Sequence, residues 1–186
     1  MIYNILVFIQ FALLLVAIGM VFYMGYVMQS FKNPVPYVPT NRKTIRKMIE
    51  AAGIKNGDRI IDIGSGTGRI VFAVAKKHDG EVIGIEKSPI LYLISRLKLL
   101  FQNKKKIKFV KGDFTQYPLN GINIVMCFLT PEGLSIIEKK LTDELSAGAK
   151  IVSHLFPLKN ATGFKETKVL LNKKKKPSYL FIYNKL

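Results

Sequence analysis

Residues Arg59–Ala73 read RIIDIGSGTGRIVFA. The apolar run around Asp62 has the composition of a buried strand. Gly64, Gly66 and Gly68 at alternate positions form a tight turn, and the apolar residues after them predict a helix to about Lys77. A strand, a glycine turn and a helix in that order open a nucleotide-binding α/β unit.

The spacing narrows the ligand. The dinucleotide fingerprint G-x-G-x-x-G would need a third glycine where Arg69 stands. The observed pattern is Asp62-x-Gly64-x-Gly66-x-Gly68. An acid two places before the first glycine repels a pyrophosphate and suits an ammonium group. A methionine-derived ligand carries an ammonium for Asp62 and a carboxylate for the backbone N–H groups of the turn, Ser65 included.

Further acids extend the pattern downstream. EVIGIE predicts a second strand ending at Glu86, 18 residues after Gly68. A carboxylate there can accept from both hydroxyls of a ribose. IKFVKG predicts a third strand, followed by Gly112-Asp113-Phe114. Asp113 can accept from an adenine N6 amine, and Phe114 can pack on the ring. Any one of these residues has an ordinary reading as a turn former or a surface charge. Together they predict a cradle for S-adenosyl-L-methionine.

The remaining elements follow the same alternation. A helix is expected from Thr40, as cap, to Gly53, with Ile45, Met48, Ile49 and Ala52 on its apolar face. SPILYLISRLKLLFQ predicts a helix capped by Ser88, with Pro89 at its first position. INIVMCFL and AKIVSHLF predict strands, and TPEGLSIIEKKLTDEL a helix between them. TKVLL and SYLFIYN predict a closing hairpin across NKKKKP. The expected fold is α/β: an open, mostly parallel seven-stranded sheet with an antiparallel C-terminal hairpin.

The front of the chain differs in kind. Residues 1–31 contain no Asp, Glu, Lys or Arg, and the segment 5–28 is apolar almost throughout. Roughly 20 such residues cross ~30 Å of hydrocarbon, so one transmembrane helix contacting the bilayer through residues 5–28 is expected. Positive residues begin at Lys32, which places the N-terminus outside and the domain in the cytoplasm. The expected organisation is an anchor over 1–31, a proline-rich linker over 32–39 and a catalytic domain over 40–186.

The chain of 186 residues carries a formal charge of +17, with 29 Lys and Arg against 12 Asp and Glu. Lysine runs at 104–106 and 173–176 fit a solvated surface, an anionic lipid or a nucleic acid. Neither run interleaves aromatics as a single-strand-binding platform does. The single cysteine, Cys127, excludes an internal disulfide framework and reads as a core residue. With no Cys/His cluster, no metal is expected; nor is there a P-loop or a G-x-S-x-G elbow.

The segments PYVPT (Pro36–Thr40), DIGSGTGRI, CFLTPEG and LSAGAKIVSHLFPL (Leu145–Leu158) resemble the small class I protein-lysine methyltransferases. These include mitochondrial membrane-anchored enzymes acting on the ATP synthase c-subunit and on the adenine nucleotide translocase, and a broad-specificity archaeal enzyme. The resemblance implies a Rossmann-like class I methyltransferase fold. It implies that Asp62, Gly64 and Gly66 line the cofactor, with Glu86 on the ribose and Asp113 near adenine. Tyr37 and Thr40 would close over the methionine end. The chain departs from many members at Thr67, where they carry Asp.

Methyl transfer from a sulfonium is an in-line displacement at carbon. The acceptor amine must be neutral and held at near-attack distance, ~3–3.5 Å. A free lysine has a pKa of about 10.4, and desolvation beside a sulfonium charge favours its neutral form, so no dedicated base is required. Tyr37, Phe128, Leu129 and Thr130 are the expected lining, with Tyr37, Thr40 and Thr130 the catalytic candidates and Phe128 also a cofactor-binding candidate. His154 has two readings, a proton acceptor or a core histidine on an apolar strand.

The predicted activity is lysine methylation of a membrane or membrane-associated protein. The alternatives are methylation of RNA, of a small molecule or lipid, and a non-catalytic cofactor-binding module. Base methyltransferases often carry N-P-P-[YF] after the fourth strand, where this chain has FLTPEG, so nucleic acid is disfavoured.

Overall fold

The structure, a computed structural model, describes residues 2–32, 39–102, 106–172 and 177–186. The chain divides into two compact units, 1–36 and 37–186. The first holds helix α1 (Ile2–Lys32). Its segment Tyr3–Gly25 spans 23 residues with a mean hydropathy of 2.8, and no part of it is buried. At 1.5 Å per residue it is long enough to cross a bilayer.

The second unit alternates strands and helices as expected. It runs α2 (Arg42–Ala52), β1 (Ile60–Ile63), α3 (Arg69–Ala75), β2 (Val82–Glu86), α4 (Pro89–Leu100) and β3 (Ile107–Lys111). A 3-10 turn at Phe114–Gln116 precedes β4 (Ile124–Cys127), α5 (Pro131–Glu144), β5 (Lys150–His154), β6 (Phe164–Asn172) and β7 (Ser178–Lys185). The seven strands form one sheet in the order β3-β2-β1-β4-β5-β7-β6. The first five are parallel, whereas β7 lies antiparallel to both β5 and β6.

Burial explains why the central strands lack polar alternation. All residues of β1, β2 and β4 are buried, because helices cover both faces of the sheet. The edge strand β3 does alternate: Ile107 and Phe109 face the core while Lys108 is exposed. The opposite edge, β6, is mostly exposed and carries Lys165, Glu166 and Lys168, charges that discourage edge-to-edge pairing.

The crossovers through α3 and α4 advance from β1 to β3, and the crossover through α5 advances the other way, from β4 to β5. Right-handedness therefore puts α5 on the face opposite α3 and α4. Ile45, Met48, Ile49 and Ala52 of α2 join the core on the α3 side, with Val71, Val74 and Phe109. The sheet order reverses between β1 and β4, where the strands register Asp62 with Met126 and Ile63 with Cys127. A ligand crevice in such a sheet opens beyond the strand ends at that reversal.

Three expectations shift locally. The cap of α2 is Asn41, not Thr40: Asn41 Oδ1 accepts from the Thr44 N–H at 2.9 Å. Asn caps at least as well as Thr, and the apolar face of α2 sets the helix start one residue later. Helix α3 ends at Ala75, and its end tightens where the Lys77 N–H makes an i→i−3 bond to the Val74 carbonyl at 2.9 Å. Strand β6 begins at Phe164, ahead of TKVLL, since its pairing continues to Phe164 opposite Lys185. Ser88 with Pro89, and Thr130 with Pro131, open α4 and α5 as expected.

Candidate active site

The glycine turn between β1 and α3 is strapped to β2. Gly64, Gly66 and Gly68 have φ values of 74°, 55° and 79°, in the left-handed region that favours glycine. Gly64 and Ser65 both donate their N–H to the Ile85 carbonyl, at 3.0 and 2.9 Å. Gly68 donates to the Ser65 carbonyl at 2.9 Å, and Gly66 donates to Glu86 Oε2 at 2.7 Å. These four N–H groups are thus held within the fold, contrary to the expectation that turn N–H groups stand open for a ligand carboxylate. Space is also limited: a Cβ on Gly64 would lie 3.1 Å from Leu129 Cδ2, and one on Gly68 only 2.6 Å from Phe109.

Three carboxylates lie at or just beyond the ends of three neighbouring strands. Asp62 is buried. Burial first, and the nearby Glu86 charge second, hold its carboxyl well above the usual carboxylate range. Glu86 is also buried, with Oε1 accepting from the Ser88 N–H at 2.8 Å and Oε2 from Gly66. Each carboxylate oxygen has two lone pairs, so these bonds leave acceptor capacity for ribose hydroxyls. Asp113 caps the 3-10 turn, accepting from the Thr115 N–H at 3.0 Å and its hydroxyl at 2.8 Å. It also pairs with Lys87 Nζ at 2.9 Å. Partial burial pushes the Asp113 carboxyl up, but the bonds from Thr115 and Lys87 outweigh it and leave the group below its ordinary value.

The ends of β4 and β5 form the neighbouring wall. Phe128 follows β4, and its ring packs on His154 at the end of β5, centroids 4.4 Å apart and planes tilted by 53°. His154 is buried, and its Nδ1 has no hydrogen-bond partner among the described residues. Burial lowers its pKa to about 4, so the imidazole is neutral at physiological pH. Leu155 follows with φ at 76°, a left-handed conformation strained for a branched side chain. Thr130 accepts from the Gly133 N–H at 3.2 Å and caps α5. Cys127 is buried beneath this wall; burial pushes its thiol up to about 12, so it stays an inert thiol.

The sequence-based candidates thus fall into two groups. Asp62, Gly64, Ser65, Gly66, Gly68 and Glu86 lie on one turn and two adjacent strand ends, and Phe128 and Thr130 follow β4 beside them. Asp113 and Phe114 sit one strand further out, after β3, with Phe114 half-buried. Thr40 is buried just before α2. Tyr37 lies outside the described residues. Sequence reasoning missed Leu155, because nothing in a leucine signals a positive φ. It also did not single out Phe109, whose ring fills the space beside Gly68 and Gly84.

The cradle has the features of a ligand site. Among the described residues Ser65 Oγ is buried without a hydrogen-bond partner, Asp62 is buried beside Glu86, and Gly64 and Gly68 leave little room for a Cβ. Buried, unsatisfied polar groups of this kind cost stability unless a ligand meets them.

Residues 62–165 match the family model described as ANTKMT methyltransferase domain. A protein-lysine N-methyltransferase of Saccharolobus islandicus is 31% identical over 137 residues, covering 70% of this chain and 82% of the relative. The human ATP synthase C-subunit lysine N-methyltransferase is 32% identical over 129 residues, 69% of this chain. The match spans 54% of the human protein, about half its length. Among solved structures, an RNA methyltransferase of Salinibacter ruber in complex with S-adenosyl-L-homocysteine superposes with a TM-score of 0.70 at 25% identity. That superposition covers 79% of this chain and 93% of the other. S-adenosyl-L-methionine is accordingly the cofactor of this chain. The chain belongs to the ANTKMT methyltransferase domain family and is an S-adenosyl-L-methionine-dependent methyltransferase similar to proteins named protein-lysine N-methyltransferase.

Proposed function

We propose that the chain is a membrane-anchored methyltransferase acting on the ε-amine of a lysine in a membrane or membrane-associated protein. The observation carrying this reading is the unburied apolar span Tyr3–Gly25 in the same chain as the cradle. A tether concentrates the domain near membrane partners and leaves it dilute toward soluble ones. The relatives named for the C-subunit of the ATP synthase and for the adenine nucleotide translocase support a lysine acceptor. On this reading the N-terminus lies outside and the domain in the cytoplasm, which the positive residues from Lys32 onward support. On this reading residues 1–31 anchor, 32–39 link and 40–186 catalyse.

Asp62 would accept from the cofactor ammonium, Glu86 from the ribose hydroxyls and Asp113 from the adenine amine, with Phe114 against the ring. Gly64, Ser65, Gly66 and Gly68 shape the turn so that backbone and ligand approach closely. The cofactor supplies an electrophilic methyl group on a sulfonium. Tyr37, Thr40, Phe128 and Thr130 would orient the acceptor amine and exclude water. Desolvation supplies the neutral amine, and the buried, neutral His154 beside Phe128 adds no positive charge to oppose its entry.

The test uses the full chain in proteoliposomes with labelled S-adenosyl-L-methionine and membranes from cells lacking it. Methyl-lysine recovered by acid hydrolysis from a membrane protein is the expected result. Label confined to lipid or RNA would contradict the assignment of the acceptor.

A further inference from the structure

Helix α4 carries an apolar stripe that faces away from the core. Leu93, Leu97, Leu100 and Phe101 recur at i, i+4, i+7 and i+8, on one side of the helix and its C-terminal end. They are 56, 49, 76 and 88% exposed, whereas Leu91 and Ser95 on the inner side are buried. Eight large apolar residues are exposed outside α1 among the described residues, and four of them lie in this stripe. Solvation alone does not explain so concentrated a patch.

The charge around the stripe is one-signed. Exposed Arg96 and Lys98 flank it. Residues 87–112 hold eight Lys and Arg and no Asp or Glu. We propose that α4 is a second membrane contact: it lies in the plane of an anionic bilayer surface, the stripe entering the headgroup–acyl boundary and Arg96 and Lys98 meeting lipid phosphates. A basic amphipathic helix with leucines and a phenylalanine on one side has the composition for this. A second copy of the chain is a poorer occupant, because pairing two such faces would juxtapose Arg96 and Lys98 with their own kind. The contact has a consequence for the site. Ser88 caps α4, two residues after Glu86, and the 12-residue helix is only ~18 Å long. Docking along α4 therefore holds the cofactor cradle close to the headgroups.

The inference stands independently of the acceptor assigned above, because its readout is contact with lipid. The chain has no tryptophan, so a single one is an unambiguous reporter. Three full-length variants serve: Leu97→Trp in the stripe, Ile136→Trp at an exposed site on α5, and Phe11→Trp in α1. Each is reconstituted in vesicles of phosphatidylcholine alone, or with an equal part of phosphatidylglycerol, with and without brominated acyl chains. S-adenosyl-L-homocysteine binding checks that each is folded. In the anionic vesicles, brominated chains are expected to quench the Leu97→Trp emission roughly twofold, with weaker quenching in phosphatidylcholine alone. The Ile136→Trp emission should be unaffected. Quenching at Leu97→Trp without quenching at Phe11→Trp would uphold the α4 contact and remove the anchor. Emission from Leu97→Trp that matches Ile136→Trp overturns the proposal. So does emission that is blue-shifted but unquenched, which would mark a protein partner or a second copy on the stripe.

Discussion

Gly66 donates its backbone N–H to Glu86 Oε2 at 2.7 Å, joining the turn after β1 to the last residue of β2. The same carboxylate receives the Ser88 N–H through its other oxygen, at 2.8 Å. One buried side chain therefore fixes both the glycine turn and the start of α4, and the cradle is organised before any ligand arrives. Glu86→Ala would strand two buried backbone donors, each at a cost of about 1–3 kcal/mol. We expect the urea midpoint to fall by a corresponding amount and S-adenosyl-L-homocysteine binding to be lost to calorimetry. Glu86→Gln keeps one carbonyl acceptor and should recover part of the stability but little of the binding. Equal recovery of both would show that Glu86 only braces the turn.

If Asp62 meets the cofactor ammonium as proposed, ligand binding should depend on pH, with a definite sign. Its carboxyl in the free protein titrates well above the ordinary value of 3.8, because it is buried and faces Glu86. A cationic ligand group favours the ionised form, so binding releases a proton wherever free Asp62 still holds one. Affinity for S-adenosyl-L-homocysteine should therefore rise with pH above the ordinary carboxylate range and level off once free Asp62 is ionised. Calorimetry in buffers of different ionisation enthalpy would register the released proton. Asp62→Asn should flatten the profile and weaken binding by about tenfold to a hundredfold, the worth of a charge-assisted hydrogen bond. A wild-type affinity that does not change with pH above the ordinary carboxylate range would exclude this role.

Much of this was legible in the residues, for identifiable reasons. Asp62, the three glycines and Glu86 lie in short elements whose order and burial set their positions, so pattern alone placed them on adjacent strand ends. The helix starts at Ser88-Pro89 and Thr130-Pro131 carried their caps in sequence. Other features depend on contacts between distant segments. That turn N–H groups would be taken by Ile85 and Glu86 depends on the packing of β2 beside β1. The meeting of Phe128 with His154 follows from the β4–β5 register, Cys127 opposite Ser153. The α4 stripe reads in sequence as a core helix, since Leu93 and Leu97 differ from Leu91 only in which way they face. Tyr37, which the resemblance to lysine methyltransferases ties to the methionine end, lies outside the described residues.

Gly84 shows that β2 also sets the depth of the cradle. A Cβ there would stand 2.8 Å from the Phe109 ring and 2.9 Å from Ser65 Oγ. Backbone conformation is not the obstacle, because Gly84 is in a strand; the neighbours on both sides are. Gly84→Ala should push Phe109 outward and crowd Ser65, costing about 1–3 kcal/mol as overpacking does. Cofactor-product affinity should fall more than stability alone explains, since Ser65 belongs to the turn. Gly68→Ala differs in combining a φ of 79° with a 2.6 Å approach to Phe109, and should be the more damaging of the two. Thermal melts with and without S-adenosyl-L-homocysteine separate the effects: Gly84→Ala should lose more of the ligand-induced Tm gain than of the unliganded Tm.

His154 and Leu155 give the last prediction. The folded pKa of His154 is about 4 against 6.5 for the free side chain, because its burial disfavours the imidazolium. Between those values the unfolded chain binds a proton that the folded chain does not. The contribution of His154 to stability is therefore complete above about pH 6.5 and is lost progressively as pH falls toward 4. His154→Gln removes that titration, so its stability should vary less with pH over this window, as measured by urea unfolding at successive pH values. Methyl transfer is the second readout. A neutral imidazole across the physiological range gives no inflection near 6.5 in the kcat profile of the wild type. Should His154→Gln leave kcat unchanged while flattening the stability profile, the residue is a buried strut holding Phe128 and the strained Leu155 turn. A fall in kcat with unchanged KM, beyond what the change in stability explains, would instead make its unpartnered Nδ1 a contact to the acceptor amine.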